Sequence, residues 1–151
     1  MAVKKPAQGK KYYTVAEANA ALPLVRAIVR DITELARDLR ERYERLARVR
    51  APEKGALGDA YQEEVQQVRA EFERDQERMH DYEKELANLG VEIKDYHTGL
   101  IDFSAWMDEH EVYLCWRLGE PEVAFWHELG AGFAGRQKIQ KAELTCEHGN
   151  V

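Results

Sequence analysis

The chain has 151 residues, the length of one ordinary domain, and 44% are apolar against 33% charged, which is too apolar for a disordered tail. Its 22 basic and 28 acidic residues leave a net charge of −6, which argues against nucleic acid as a partner, because phosphate binding relies on a basic face. No apolar run reaches the roughly 18 residues of a membrane span, and the opening MAVKKPAQGKK lacks the apolar centre of a secretory signal, so the expectation is a soluble cytoplasmic protein.

Residues 1–11, with four lysines and little to bury, read as a flexible arm. Thr14-Val-Ala-Glu17 is a capping box, in which the threonine hydroxyl accepts from the Glu17 amide and the glutamate reaches back to the Thr14 amide. Pro23 removes the bond its amide would donate to the Asn19 carbonyl, so the reading is a short helix, a kink and then a long helix. From Val25 onward Val29, Ile32, Ala36, Leu39, Tyr43 and Leu46 keep to one stripe in steps of three and four.

The segment APEKGALG at 51–58 breaks that pattern, and Asp59 with Gln62 offers a second capping box. A second stripe follows through Tyr61, Val65, Val68, Phe72, Met79, Tyr82, Leu86 and Leu89, interrupted only by Asp75 and closed by Gly90 as a C-terminal cap. Helices over 14–50 and 59–89, joined by so short a loop, form an antiparallel, coiled-coil-like hairpin. Residues 14–50 carry eight arginines against six acids, whereas 59–89 carry ten acids against four basic residues, so the helices are complementary in charge.

After Gly90 the period changes to alternation. Val91–Asp95 reads as a strand, His97-Thr-Gly99 as a turn, Leu100–Phe103 as a second strand and Met107–His110 as a polar connection. Val112–Leu118 and Val123–Leu129 form a candidate hairpin around Gly119-Glu-Pro-Glu122, with a helix starting at Pro121 as the alternative for the second flank. The phrases YTVAEANAALPLV, GVEIKDYHTGLIDF and VYLCWRLGEPEVAFWHELGAGFAGRQ resemble the prokaryotic domain of unknown function 2203 family over about residues 12–138. That resemblance implies a small prokaryotic protein and brings no activity with it; the tail after Lys138 matches nothing.

Chemistry has to come from residue types. Residues 90–136 hold nine acids against Lys94, Arg117 and Arg136, a balance that attracts cations. Asp102, Glu120, His127 and Glu128 offer the oxygen and nitrogen donors of a divalent metal site, although neighbours such as His127 and Glu128 point to opposite faces of a regular strand. A buried histidine bonded to a carboxylate or a carbonyl is the competing reading. Cys115 and His127 as cross-strand neighbours, with Cys146 and His148, would suit zinc, but the spacing matches no known finger or ribbon. Arg117 and Arg136, in a glycine-rich setting, fit a carboxylate or phosphate anion, or else internal ion pairs such as Arg117 with Glu120 or Glu122.

The expected fold is therefore α+β: one domain over 12–138, with a long helical hairpin, a small antiparallel sheet over 91–129 and a tail at 139–151. Two helices bury only one stripe each, which points to the sheet, a second copy of the chain, or both, as their cover. Two functions follow: an oligomerising, non-enzymatic scaffold that pairs through its helices as a homodimer or with another protein, or a metal-binding protein or metal-dependent enzyme with its site on the sheet.

Overall fold

The computed structural model describes residues 9–48 and 58–140. The start of the N-terminal arm, the loop read at 51–58 except for Gly58, and the tail from 141 with Cys146 and His148 lie outside the described residues.

Helix α1 (Val15–Arg48) begins at the predicted capping box. The Thr14 amide donates to Glu17 Oε1 at 2.9 Å and the Glu17 amide to Thr14 Oγ1 at 3.0 Å, so two amides that a helix start leaves bare are satisfied reciprocally. The expected division into a short and a long helix at Pro23 does not occur, and α1 is one continuous helix through that residue. Ala18 and Leu22 before the proline and Val25, Ile28 and Val29 after it are all buried on one face, while the ring itself is exposed. Packing on both sides of the proline holds a helix whose local cost is about 3 kcal/mol.

Helix α2 (Gly58–Asn88) runs back along α1 and closes at Gly90, whose φ of 77° is the left-handed conformation expected of a C-terminal cap. The two helices are 34 and 31 residues long, roughly 50 Å and 46 Å at 1.5 Å per residue. Asp75, the interruption in the second stripe, is buried and accepts from Arg42 of α1 and from Arg78 one turn along α2.

Among the described residues five strands follow in a simple antiparallel meander: β1 (Val91–Asp95), β2 (Leu100–Met107), β3 (His110–Arg117), β4 (Phe125–Glu128) and β5 (Gln137–Lys138). The hairpin reading of the C-terminal flank holds, with the first strand starting two residues earlier than predicted, at His110, and the second shortened to Phe125–Glu128. Strand β2 extends to Met107, and the β2–β3 turn has Asp108 and Glu109 at φ 49° and 66°, the backbone twist that tight two-residue hairpins require. The second flank becomes extended only at Phe125, because the Asn19 side chain clamps Val123 through both backbone groups, at 2.7 and 3.3 Å. Strand β5 lies beyond the predicted end of the sheet.

Alternation divides the sheet into two faces. Ile101, Phe103, Ala105 and Met107 of β2, Val112, Leu114 and Trp116 of β3, and Trp126 of β4 join the buried face of α1 in one hydrophobic cluster. The opposite face carries Asp102, Ser104, Tyr113, Cys115, Phe125 and His127. The α+β class with a helical hairpin and a small antiparallel sheet thus matches the sequence expectation.

Sheet and helix approach closely at Gly99, in the β1–β2 turn. Its φ is 71°, and a Cβ there would lie 2.8 Å from Leu118 Cβ and 2.9 Å from Val29 Cγ1. Gly99→Ala therefore combines backbone strain with overpacking and is expected to lower stability by about 2–4 kcal/mol in urea denaturation; an unchanged midpoint would contradict this close approach.

Candidate functional site on the outer face of the sheet

The register of the strands decides which chemical groups meet. Asp102 of β2 stands directly opposite Cys115 of β3, and His127 of β4 stands opposite Tyr113, one step diagonal to Cys115 on the same face. The imidazole of His127 passes over β3 between Tyr113 and Cys115 and reaches Asp102, with Nε2 3.0 and 3.1 Å from the two carboxylate oxygens. Donor atoms of Asp102, Cys115 and His127 all lie within 4.8 Å of one another, and all three residues are buried at 2% exposure or less.

The second ring nitrogen is also engaged. His127 Nδ1 lies 2.7 Å from the Glu128 carbonyl oxygen, which can only accept. A neutral ring has one N–H and one bare nitrogen, so one of its two neighbours would face a lone pair. Both contacts are satisfied together if a proton lies between Nε2 and the Asp102 carboxyl, on either partner, while Nδ1 keeps its own, or if a cation stands on the Nε2 side.

Cys115 has no exposure, and its thiol is pushed up to about 12, first by burial and then by the neighbouring Asp102 carboxylate; Arg136 acts in the opposite direction. Both nitrogens of His127 are occupied, and burial together with the Asp102 carboxylate disfavours the thiolate, so the arrangement does not favour nucleophilic catalysis by Cys115 at neutral pH.

The remaining predicted site residues are engaged elsewhere. Glu120 Oε1 accepts the Arg117 amide at 2.7 Å, and Glu120 Oε2 accepts from Arg136 Nη2 at 2.5 Å, so this carboxylate fastens the turn before β4 to the segment after it. Glu128 is exposed and its carboxylate sits 3.0 Å from His110 Nε2, on the face opposite His127. That carboxylate, with the Asp108 carbonyl on the other ring nitrogen, holds the His110 imidazolium above its ordinary range. The Arg136 guanidinium stacks 3.9 Å from the Phe125 ring centre and 4.7 Å from that of Phe133, and Arg117 also lies over Phe133, at 5.1 Å. Among the described residues, Arg136 Nε is buried with no hydrogen-bond partner.

Among the four predicted metal candidates, Asp102 and His127 meet. The residue that joins them is Cys115, which the sequence offers as a zinc ligand together with His127, Cys146 and His148.

An α+β protein with a helical hairpin on one face of its sheet and a buried carboxylate, thiol and imidazole on the other is the class defined here. The chain belongs to the family described as uncharacterized conserved protein (DUF2203), whose sequence profile matches residues 11–139. No curated protein matches it. No solved structure matches either. Among the described residues no helix is long and apolar enough to cross a membrane.

The state of Cys115 is directly testable by alkylation followed by peptide mapping. With its thiol at about 12 instead of 9, the thiolate fraction at pH 8 is about a thousandfold below that of a free cysteine. The Cys115 peptide is expected to stay unlabelled in the folded protein and to label once the protein is unfolded; rapid native labelling would contradict the burial.

Proposed function

We propose that the protein is a self-associating scaffold in which the distal half of the helical hairpin pairs with the same half of a second copy. One observation carries this reading: the apolar stripes continue well past the last buried position of either helix. Of the 31 residues of α2, only Asp75, Met79 and Leu86 are buried, and nothing in α1 beyond Ala36 is. Tyr43 and Leu46 are 64% and 38% exposed, and a groove between the helices is lined by Leu46, Tyr61, Val65 and Val68. Rows of this kind over about three turns of each helix suit helix-on-helix packing in a bundle.

Charge favours a second copy as the occupant. The distal part of α1, residues 37–48, carries five arginines against three acids, and the facing part of α2, residues 59–74, carries five acids against two arginines; within the chain Arg42 is held by Asp75, and Arg40 and Arg48 by Glu44. A two-fold arrangement sets α1 of one protomer against α2 of its partner, so that basic and acidic rows meet twice. Such pairs add little energy on the rim; they fix orientation, while the apolar rows supply the affinity.

Sedimentation of the full untagged chain at micromolar concentration is expected to give a dimer. Leu46→Glu combined with Val65→Glu places charge in the groove at positions that are not buried in the single chain, and should give a folded monomer with little change in melting temperature. A monomeric wild-type protein would refute self-association, and a different protein on this face would then be sought.

A further inference from the structure

The outer face of the sheet supports a second, independent inference, which does not depend on how the hairpin is used. We propose that Asp102, Cys115 and His127 form a binding site for a divalent transition metal, zinc before others, with His127 Nε2, Cys115 Sγ and one Asp102 oxygen as its three protein ligands.

Geometry is the first support. In tetrahedral coordination with zinc bonds of about 2.0 Å to nitrogen or oxygen and 2.3 Å to sulfur, the ligand atoms stand roughly 3.3–3.6 Å apart. The three donor atoms already lie within 4.8 Å of one another, and the Nε2 to Oδ1 separation is 3.0 Å. The ligands come from three neighbouring strands of a single sheet, β2, β3 and β4.

The hydrogen bonding around the ligands is the second support. A metal-binding histidine usually donates its other ring N–H to a carbonyl or carboxylate, which fixes the tautomer and aims the free nitrogen at the ion. His127 Nδ1 has that partner in the Glu128 carbonyl at 2.7 Å. The feature otherwise awkward for a neutral imidazole, an Nε2 that faces an acceptor, is what a cation in that position requires.

Charge balance is the third support. A thiolate, a carboxylate and a neutral imidazole together carry −2, so a divalent ion makes this buried site neutral, whereas an unpaired charge at such depth is costly. Arg136 lies close enough to favour the Cys115 thiolate, and its buried Nε has no partner among the described residues. When the metal enters, the thiol proton and the proton shared by His127 and Asp102 pass to solvent, and water completes the fourth position. The mixed nitrogen, oxygen and sulfur donor set disfavours magnesium and calcium, which take oxygen ligands.

The test uses the full untagged chain, stripped with a chelator and then exposed separately to zinc and to cobalt(II). Elemental mass spectrometry after gel filtration is expected to give one zinc per chain, and the cobalt form is expected to show a thiolate-to-cobalt charge-transfer band in the near ultraviolet. Cys115→Ser should abolish the band and weaken zinc binding by about a hundredfold or more. Cys146→Ser and His148→Ala serve as controls and should leave both unchanged. Retained metal with no charge-transfer band in the wild-type protein, or a band that survives Cys115→Ser and vanishes in Cys146→Ser, would overturn the assignment. So would failure to retain either metal, which leaves the cluster as a buried hydrogen-bonded pair beside a thiol. The wild-type cobalt spectrum keeps the test decisive even if a variant fails to fold.

Discussion

The contact of His127 with Asp102 across β3 is the constraint on which the C-terminal half depends. It joins β4 to β2 over an intervening strand, at 3.0 Å, with both residues almost fully buried. Desolvating an acid and an imidazole costs several kcal/mol, and removing either partner from such a buried pair commonly costs about 3–5 kcal/mol. That penalty specifies register: a one-residue slip of β4 would turn His127 toward the hydrophobic cluster and Trp126 toward the polar face. Asn19 and Glu120 hold the same strand from its other end, the first by clamping Val123 and the second by binding Arg136 beyond the strand.

The sheet is therefore used on both sides, in chemically different ways. Its inner face is an ordinary apolar layer under α1, with Trp116, Phe103 and Leu114 among the largest buried side chains. Its outer face buries a small polar layer beneath Tyr113 and the Phe125–Arg136 stack. The helices divide their labour along their length instead. The half near the sheet builds the core, and the far half presents Tyr43 and Leu46 to solvent beside half-buried Tyr61, Val65 and Val68. Asp75, held by Arg42 and Arg78, marks the junction, where a buried polar group fixes how the two helices align.

Much of this architecture is legible in the sequence because it rests on local rules. Steps of three and four announce both helices, the Thr14–Glu17 box starts the first, Gly90 ends the second, and alternation from Val91 announces the sheet. The misreadings arise where tertiary contacts override a local rule. Pro23 should break α1, but Leu22 and Val25 on either side are both seated in the core. Val123 has the composition of a strand, yet its backbone is taken by Asn19, which is 104 residues away. The polar layer is the least legible part. Asp102, Cys115 and His127 share no motif or spacing, and only the register of three strands brings them together. His127 and Asp102 were visible as donors by residue type, whereas the central placement of Cys115 depends on its facing Asp102 across the ladder. Glu120 and Glu128, equally acidic on paper, are drawn away by Arg136 and His110.

The central claim is that the Glu128 carbonyl fixes the His127 ring so that Nε2 faces Asp102, and nitrogen-resolved NMR of the imidazole tests it most directly. The account predicts a proton on Nδ1 at neutral pH, protected from exchange by burial, and present whether or not zinc has been added. A bare Nδ1 with a neutral ring protonated only at Nε2 would contradict it: the ring would then be oriented as an ordinary donor to Asp102, and the arrangement around Asp102, Cys115 and His127 would lose its basis.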